Sequence, residues 1–553
     1  MSARRRTFEP PESSGGRLVE PPIVPSPGTG SIEALIDNNR LLRTALDLRI
    51  GDMRLHELVA ATRREVLMVA AEYSGSYRDV SRPSDTADWI ARPLIMGGHQ
   101  PELFHPGVWL KNAVLAAYAR QVDGTAVNLV IDSDRCTRAS VDLPVGTPEE
   151  AHLEPLPFDG LAAAMAWEER AIVDADCLAS FGERAAALLA QLVPDAIVRR
   201  WWPLVVERAG ASHRLGLAIA QARHILEERF GLETLELPVG ELVKLPTVMV
   251  FTGWLLAHAR PLHEAYNAAL AEHRRAARVR GRGRPMPDLA EHHDESGGWL
   301  EVPWWIWSQD DPRRRRVYAN MATPGTLALS DLETLRVELP IAAEISPARW
   351  IDALSRMEEQ GVRLRPRAVI TTLLARLLMA DVFVHGIGGA AYDTITDGIV
   401  RRLIGSDLPR HAVATGTLRL PLERTFPGID SADPEGELAA VRRTLRDVAY
   451  HPERHLPPAA ELPAEVRQLV EAKRRWVETV PTATLARRRC HEIPHEAIRG
   501  GGKPAVGFVR DLEARADLLK RAVRAHQTLM SRTHPWCFFP EKMLREFLLL
   551  ETG

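Results

Sequence analysis

The chain has 553 residues, too many for one small core and enough for two to four structural units. Hydrophobic residues make up 45% and charged residues 26%, the balance of a water-soluble globular protein, and no apolar run approaches the roughly 18 residues of a membrane span. The formal net charge of −3 gives no global attraction for nucleic acid or an anionic membrane, so neither is expected as a partner and any anion site must be local.

Residues 1–30 are rich in Pro, Gly, Ser and Arg without apolar periodicity, which predicts a disordered tail. The basic start "MSARRR" has no apolar stretch behind it, so no secretory signal is expected and the cytoplasm is the default location. From Ser31 a helical period sets in, with Ile32, Leu35, Ile36, Leu41, Leu42 and Leu46 on neighbouring turns. The run "RPLIMGG" then reads as a strand, "VWLKNAVLAAYARQV" as a helix and "AVNLVIDSD" as a second strand, which together make a βαβ unit.

The turn of that unit, "GGHQPELFHPGVWLK" at 97–111, carries the chemistry. Ligands of open α/β sheets bind beyond the carboxyl ends of the strands, where backbone N–H groups meet anions at a helix start. Gly97 and Gly98 stand where such a turn is expected, His99, Gln100 and His105 offer hydrogen bonds, and Lys111 offers a positive charge. Pro106 suits a first helical turn. The plain alternative is a tight turn with two surface histidines. Asp132 and Asp134 follow the second strand, and a spacing of two at an extended end points both to one side, toward magnesium or a substrate amine. Capping of the next turn is the competing reading.

Between 151 and 300 the periodicity is mainly helical, as in "FGERAAALLAQLV" and "GASHRLGLAIAQARHILEERF". "GGWLEVPWWIWSQDD" then gathers Trp299, Trp304, Trp305 and Trp307, predicted as core with one ring free to wall a pocket. The basic run Arg313–Arg316 lies beside acidic residues and is expected to be a solvated face. A further strand, "ADVFV", leads into "HGIGGAAYD", where His385, Gly386, Gly388, Gly389, Tyr392 and Asp393 could form a second anion cradle facing the first. Close packing of helix on strand would also explain those glycines. From 456 onward the mixed-charge helices "AEVRQLVEAKRRWVETV" and "VGFVRDLEARADLLKRAVRAHQTLM" predict a helical hairpin or short coiled coil. No metal-ligand set is predicted. Cys136, Cys177, Cys490 and Cys537 lack CxxC spacing, and "HEIPH" at His491–His495 places Pro494 where a zinc-binding helix would need to continue.

Four segments, "GGHQPELFHPGVWLK", "VNLVIDSDRC", "GRPMPDLAEHHDESGGWLEVPWWIW" and "RPRAVITTLLARLLMADVFVHGIGGAAYD", occur in the order of a known family. They resemble BshC, the bacillithiol-biosynthesis family of putative cysteine-adding ligases that act on glucosaminyl-malate. Gly98, Gln100, Leu103, Phe104 and Lys111 match its first motif, and Gly386, Gly388, Gly389 and Tyr392 a later one, while His99 and "HPG" depart from it. The resemblance implies an α/β fold with a Rossmann-like parallel sheet core, a large helical insertion and a C-terminal helical or coiled-coil element. On that scheme 31–150 is the first part of the core, 151–300 the insertion, 301–455 the second α/β part and 456–553 the C-terminal helical region. It implies a carbon–nitrogen ligase joining cysteine or a similar small carboxylate to an amine, with ATP and magnesium as the expected cofactor. A homodimer would form through the C-terminal helices. His105, Lys111 and Asp134 are the expected catalytic residues: the first two would neutralise transition-state charge, and Asp134 would orient the amine or a metal. The same turn is also similar, at His105 and Gly107, to the "GGxFxPxHxGH" signature of nucleotidylyltransferases, with Val108 where the second histidine would stand. A ligand-binding or assembly protein without chemistry is the third reading.

Overall fold

The computed structural model describes residues 24–25, 31–279, 286–295, 297–321, 323–340, 346–422, 433–456, 458–479 and 503–549. They fall into two compact units, one of Met1–Leu143, Pro155–Pro421 and Arg532–Gly553, the other of Pro144–Glu154 and Leu422–Ser531.

In the first unit, helices α1 (Ile32–Thr44) and α2 (Leu55–Gly75) precede strand β1 (Leu94–His99), helix α3 (Pro106–Gln121) and strand β2 (Thr125–Val130). Strands β3 (Leu235–Pro238), β4 (Val382–His385) and β5 (His411–Val413) complete a parallel sheet in the spatial order β3-β2-β1-β4-β5, the doubly wound order of a Rossmann-like core. The strands are short and apolar because both faces of the sheet are covered. Helix α3 is apolar nearly all round, as a helix buried on every side must be. Residues 24 and 25, expected within the disordered tail, pair antiparallel with β5 at the sheet edge. The remainder of that tail and His491–His495 lie outside the described residues.

The segment expected to be a helical insertion does contain helices, but it also supplies β3, an edge of the parallel sheet. The chain between β3 and β4 builds a second, antiparallel sheet. Its long strand Gly297–Ser308 pairs with Glu291–Asp294, Arg315–Asn320 and Val362–Pro366. The register against Arg315–Asn320 shifts between Val302 and Trp305, around Pro303, which cannot donate to the ladder.

A buried carboxylate fastens β1 to β4 at their amino ends. Asp381 accepts from Leu94 N (2.9 Å), Arg63 Nη1 (3.0 Å) and Arg40 Nε (3.1 Å), with Arg43 Nη1 at 3.6 Å. Its own N–H donates to Leu94 O at 2.7 Å.

In the second unit, Lys503–Leu529 packs against Pro434–Tyr450 through Leu438, Val441, Leu519 and Val523. The partner of Lys503–Leu529 is thus Pro434–Tyr450, upstream of the helix at Ala464–Thr479 that periodicity paired with it.

Candidate functional site

In the order 3-2-1-4-5 the chain leaves β1 in one direction and returns beside it as β4, so loops at the carboxyl ends of β1 and β4 part and leave a crevice. A cleft of about 830 Å³ opens there, walled by Gly98, His99, Gln100, His105 and Lys111 from one side and by His385–Gly389, Tyr392 and Asp393 from the other. Two segments far apart in sequence, both singled out from their composition, therefore meet in one site.

Helix α3 starts at Pro106, and its capping residue His105 makes no side-chain cap hydrogen bond. Helix α4 (Ile387–Leu403) starts after Gly386, equally without a side-chain cap. The first turns of both line the cleft. Unsatisfied N–H groups at two helix starts place partial positive charge on the same space. Lys111 Nζ reaches it from α3, donating to Gly98 O at 2.7 Å. Burial and then Arg223 pull the Lys111 ammonium down to about 8. Arg532 adds a further cation, and among the described residues no carboxylate pairs with Lys111 or Arg532. Burial, Arg532 and Lys111 drive the His105 imidazole down to about 4, so at neutral pH it is an uncharged hydrogen-bonding group and not the cation expected of it.

Several expected roles change. Gly97 and Gly98 are not in a turn, because β1 runs on to His99. At Gly97 a Cβ would stand 3.3 Å from Leu115 Cδ1 and from Val384 O, so this glycine serves strand–helix packing and does not line the cleft. His99 lines the cleft, but both its ring nitrogens are engaged, Nδ1 with Gln100 O (3.1 Å) and Nε2 with Asn112 Oδ1 (3.2 Å). Glu227 fixes that amide by accepting from Asn112 Nδ2 at 2.8 Å.

Asp132 and Asp134 do not share a side. Strand β2 ends at Val130 and the chain turns at once, with Asp132 N donating to Val130 O, so strand alternation does not extend to them. Asp132 lies in a separate cavity of about 300 Å³ with Glu168 and Arg365, where burial and then Glu168 push its carboxyl well up. Asp134 does line the main cleft, but both its oxygens are engaged, Oδ1 by Arg314 (2.8 Å) and Oδ2 by Gln100 (2.9 Å). It positions those two side chains, and Oδ2, with a single partner, keeps acceptor capacity toward the cleft.

Arg314, expected on a solvated face, is mostly buried and stacks on Trp305 with its guanidinium carbon 4.5 Å from the ring centre. Arg367 covers Trp305 at 4.2 Å. Each contact contributes on the order of 0.5–2 kcal/mol. The register shift beside Pro303 leaves Trp305 in the cleft wall while Trp304 and Trp307 remain buried. On the opposite wall, His385 Nε2 meets Asp393 Oδ2 at 2.9 Å, and His411 Nδ1 comes within 3.4 Å of the same oxygen. Arg376 donates to that oxygen at 2.6 Å from a π-helical turn, Ala375–Met379. Burial opposes the charge of Asp393, but Arg376 and the histidines hold its carboxyl far below the ordinary range. Burial, with His385 and Arg376, brings His411 down to about 4. Tyr392 sits at the rim, 47% exposed.

Sequence reasoning missed Trp305 as the specific cleft ring, assigned Arg314 to a solvated face, and missed Arg367, Arg376, His411 and Arg532 altogether. The one usable signal was the adjacency of the arginine run to the tryptophan strand. No protein-family model matches the chain, and no curated protein matches it.

Proposed function

We propose that this chain is an enzyme that takes a small anionic substrate at the switch-point cleft and joins a small carboxylate to the amine of an acceptor, as the resemblance to BshC implies. One observation carries the reading: two helix starts without side-chain caps and the buried Lys111 converge on one cleft, with no carboxylate pairing Lys111 among the described residues. That arrangement favours a phosphate- or carboxylate-bearing molecule. ATP with magnesium, held by the helix starts and Lys111, would supply the phosphate-bearing leaving group that activates the carboxylate. The amine nitrogen then attacks the acyl carbon, the phosphate-bearing group leaves with the bonding pair, and the amine gives up a proton. Lys111 and the helix starts would stabilise the charge on the leaving group. His105, neutral and lining the cleft, would accept a hydrogen bond from the amine and orient it, while the proton passes to the departing phosphate-bearing group or to water.

The test is mass spectrometry of the purified protein with glucosaminyl-malate, cysteine, ATP and magnesium, beside a folded Lys111→Met variant. An amide product that falls at least about tenfold in the variant supports the reading. Intact ATP and no amide across a panel of small amines and carboxylates overturns it.

A further inference from the structure

The wall formed by β4, β5 and α4 brings together side chains that the anion site does not use. His385 ends β4, His411 begins β5, and Asp393 lies on the second turn of α4. One ligand-type atom from each falls within 4.8 Å of the other two. The two imidazole rings stand nearly perpendicular, 88° apart, with centroids 4.9 Å from one another, so they do not stack but converge on the carboxylate from different directions. Four-coordinate zinc, with bonds near 2.0 Å, holds neighbouring ligand atoms roughly 3.3 Å apart. The 2.9 and 3.4 Å separations from Asp393 Oδ2 already bracket that value.

Two further observations bear on a cation. Asp393 Oδ1 is buried and has no hydrogen-bond partner, a costly state for a carboxylate oxygen unless something positive meets it. The surrounding charge also leaves an excess: Arg376 faces two carboxylates, Asp393 at 2.6 Å and Asp397 at 2.8 Å. Arg376 is itself anchored by Pro409 O, which accepts from its Nε at 2.9 Å and Nη2 at 2.6 Å. An anchored partner behind a ligating carboxylate is what fixes the orientation of metal ligands.

We propose that His385, Asp393 and His411 form a site for one divalent transition-metal ion, zinc being the best match. Two imidazoles and one carboxylate suit zinc or cobalt and not magnesium or calcium, which take oxygen ligands. His385 and Asp393 line the cleft and His411 does not, so the fourth coordination position faces the cleft, as in catalytic rather than structural sites. The inference does not depend on which reaction the cleft performs.

The experiment uses the full-length protein, stripped with chelator and titrated with Zn²⁺ by calorimetry and with Co²⁺ by visible absorption. About one equivalent is expected, with the Co²⁺ spectrum of a four- or five-coordinate nitrogen–oxygen site. His411→Ala should weaken binding at least about 100-fold, and so should Asp393→Asn if it folds. The double variant His491→Ala/His495→Ala, at the one HExxH pattern in the sequence, should bind normally. The proposal is overturned if folded wild type takes up no stoichiometric Zn²⁺, or if His411→Ala and His385→Ala bind as tightly as wild type.

Discussion

Replacing Asp381 with asparagine removes one negative charge and almost no volume from the point where β1 and β4 are joined. The side chain is 1% exposed, and the two most buried of its partners, Arg43 and Arg63, are 7% and 8% exposed. The substitution therefore leaves two buried guanidiniums without a counter-ion. Breaking a buried ion pair from one side costs about 3–5 kcal/mol. An unfolding entropy of about 2 cal/mol/K per residue, over a unit of several hundred residues, converts this to a fall in Tm of roughly 3–5 °C. Differential scanning calorimetry of both proteins from pH 3 to pH 8 measures it. Burial works against the Asp381 charge, but Arg63, Arg40 and Arg43 outweigh it and hold the folded carboxyl below its ordinary value. Its stabilisation is then complete above the unfolded aspartate pKa, about 3.9, and is lost as pH falls through the lower folded value. The gap between wild type and Asp381→Asn should be widest near neutrality and narrow toward pH 3. A gap that is absent, or equally wide at both ends, would refute the argument.

At Gly107 a Cβ would stand 2.2 Å from the carbonyl oxygen of Gly416, whereas at Gly388 nothing lies within 4 Å. Gly107→Ala should lose about 1–3 kcal/mol in chemical denaturation and Gly388→Ala should lose much less, which comparison of the two midpoints decides. The Lys111 ammonium, brought down to about 8, carries the charge that an anion meets. Affinity for a probe such as pyrophosphate, followed by calorimetry, should therefore decline as pH rises through 8 and be flat there in Lys111→Arg.

The parallel core was legible because β1, β2 and β4 are apolar runs, each followed at once by a helix start or turn, a pattern that survives without tertiary knowledge. The two walls of the cleft were likewise visible as composition, since Gly, His and Pro at a strand end have few other uses. What stayed hidden depends on geometry outside any local window. Asp132 and Asp134 parted because a turn replaced the strand four residues earlier than alternation assumed. Arg314 escaped notice because charge alone does not distinguish a solvated arginine from one lying over a tryptophan. His411 has no sequence relation to His385 or Asp393, and only the pairing of β5 with β4 brings it to them.

The register Val382↔Ile95 also governs the order of events at the ribosome. The strands β1, β2 and β3 are all made before the antiparallel sheet begins, so half of the parallel core can assemble early, as amino-terminal parts of large proteins tend to do. Its middle strand, β1, must then keep one edge unpaired while more than a hundred further residues emerge, with Arg40, Arg43 and Arg63 waiting for Asp381 to arrive just ahead of β4. Arg532 is made after every strand of the parallel core, and Trp536 N is tied back to Phe104 O at 2.9 Å, beside the start of α3. A nascent chain thus holds a recognisable fold long before it holds a complete cleft, and any chemistry there is withheld until Arg532 and Trp536 have emerged.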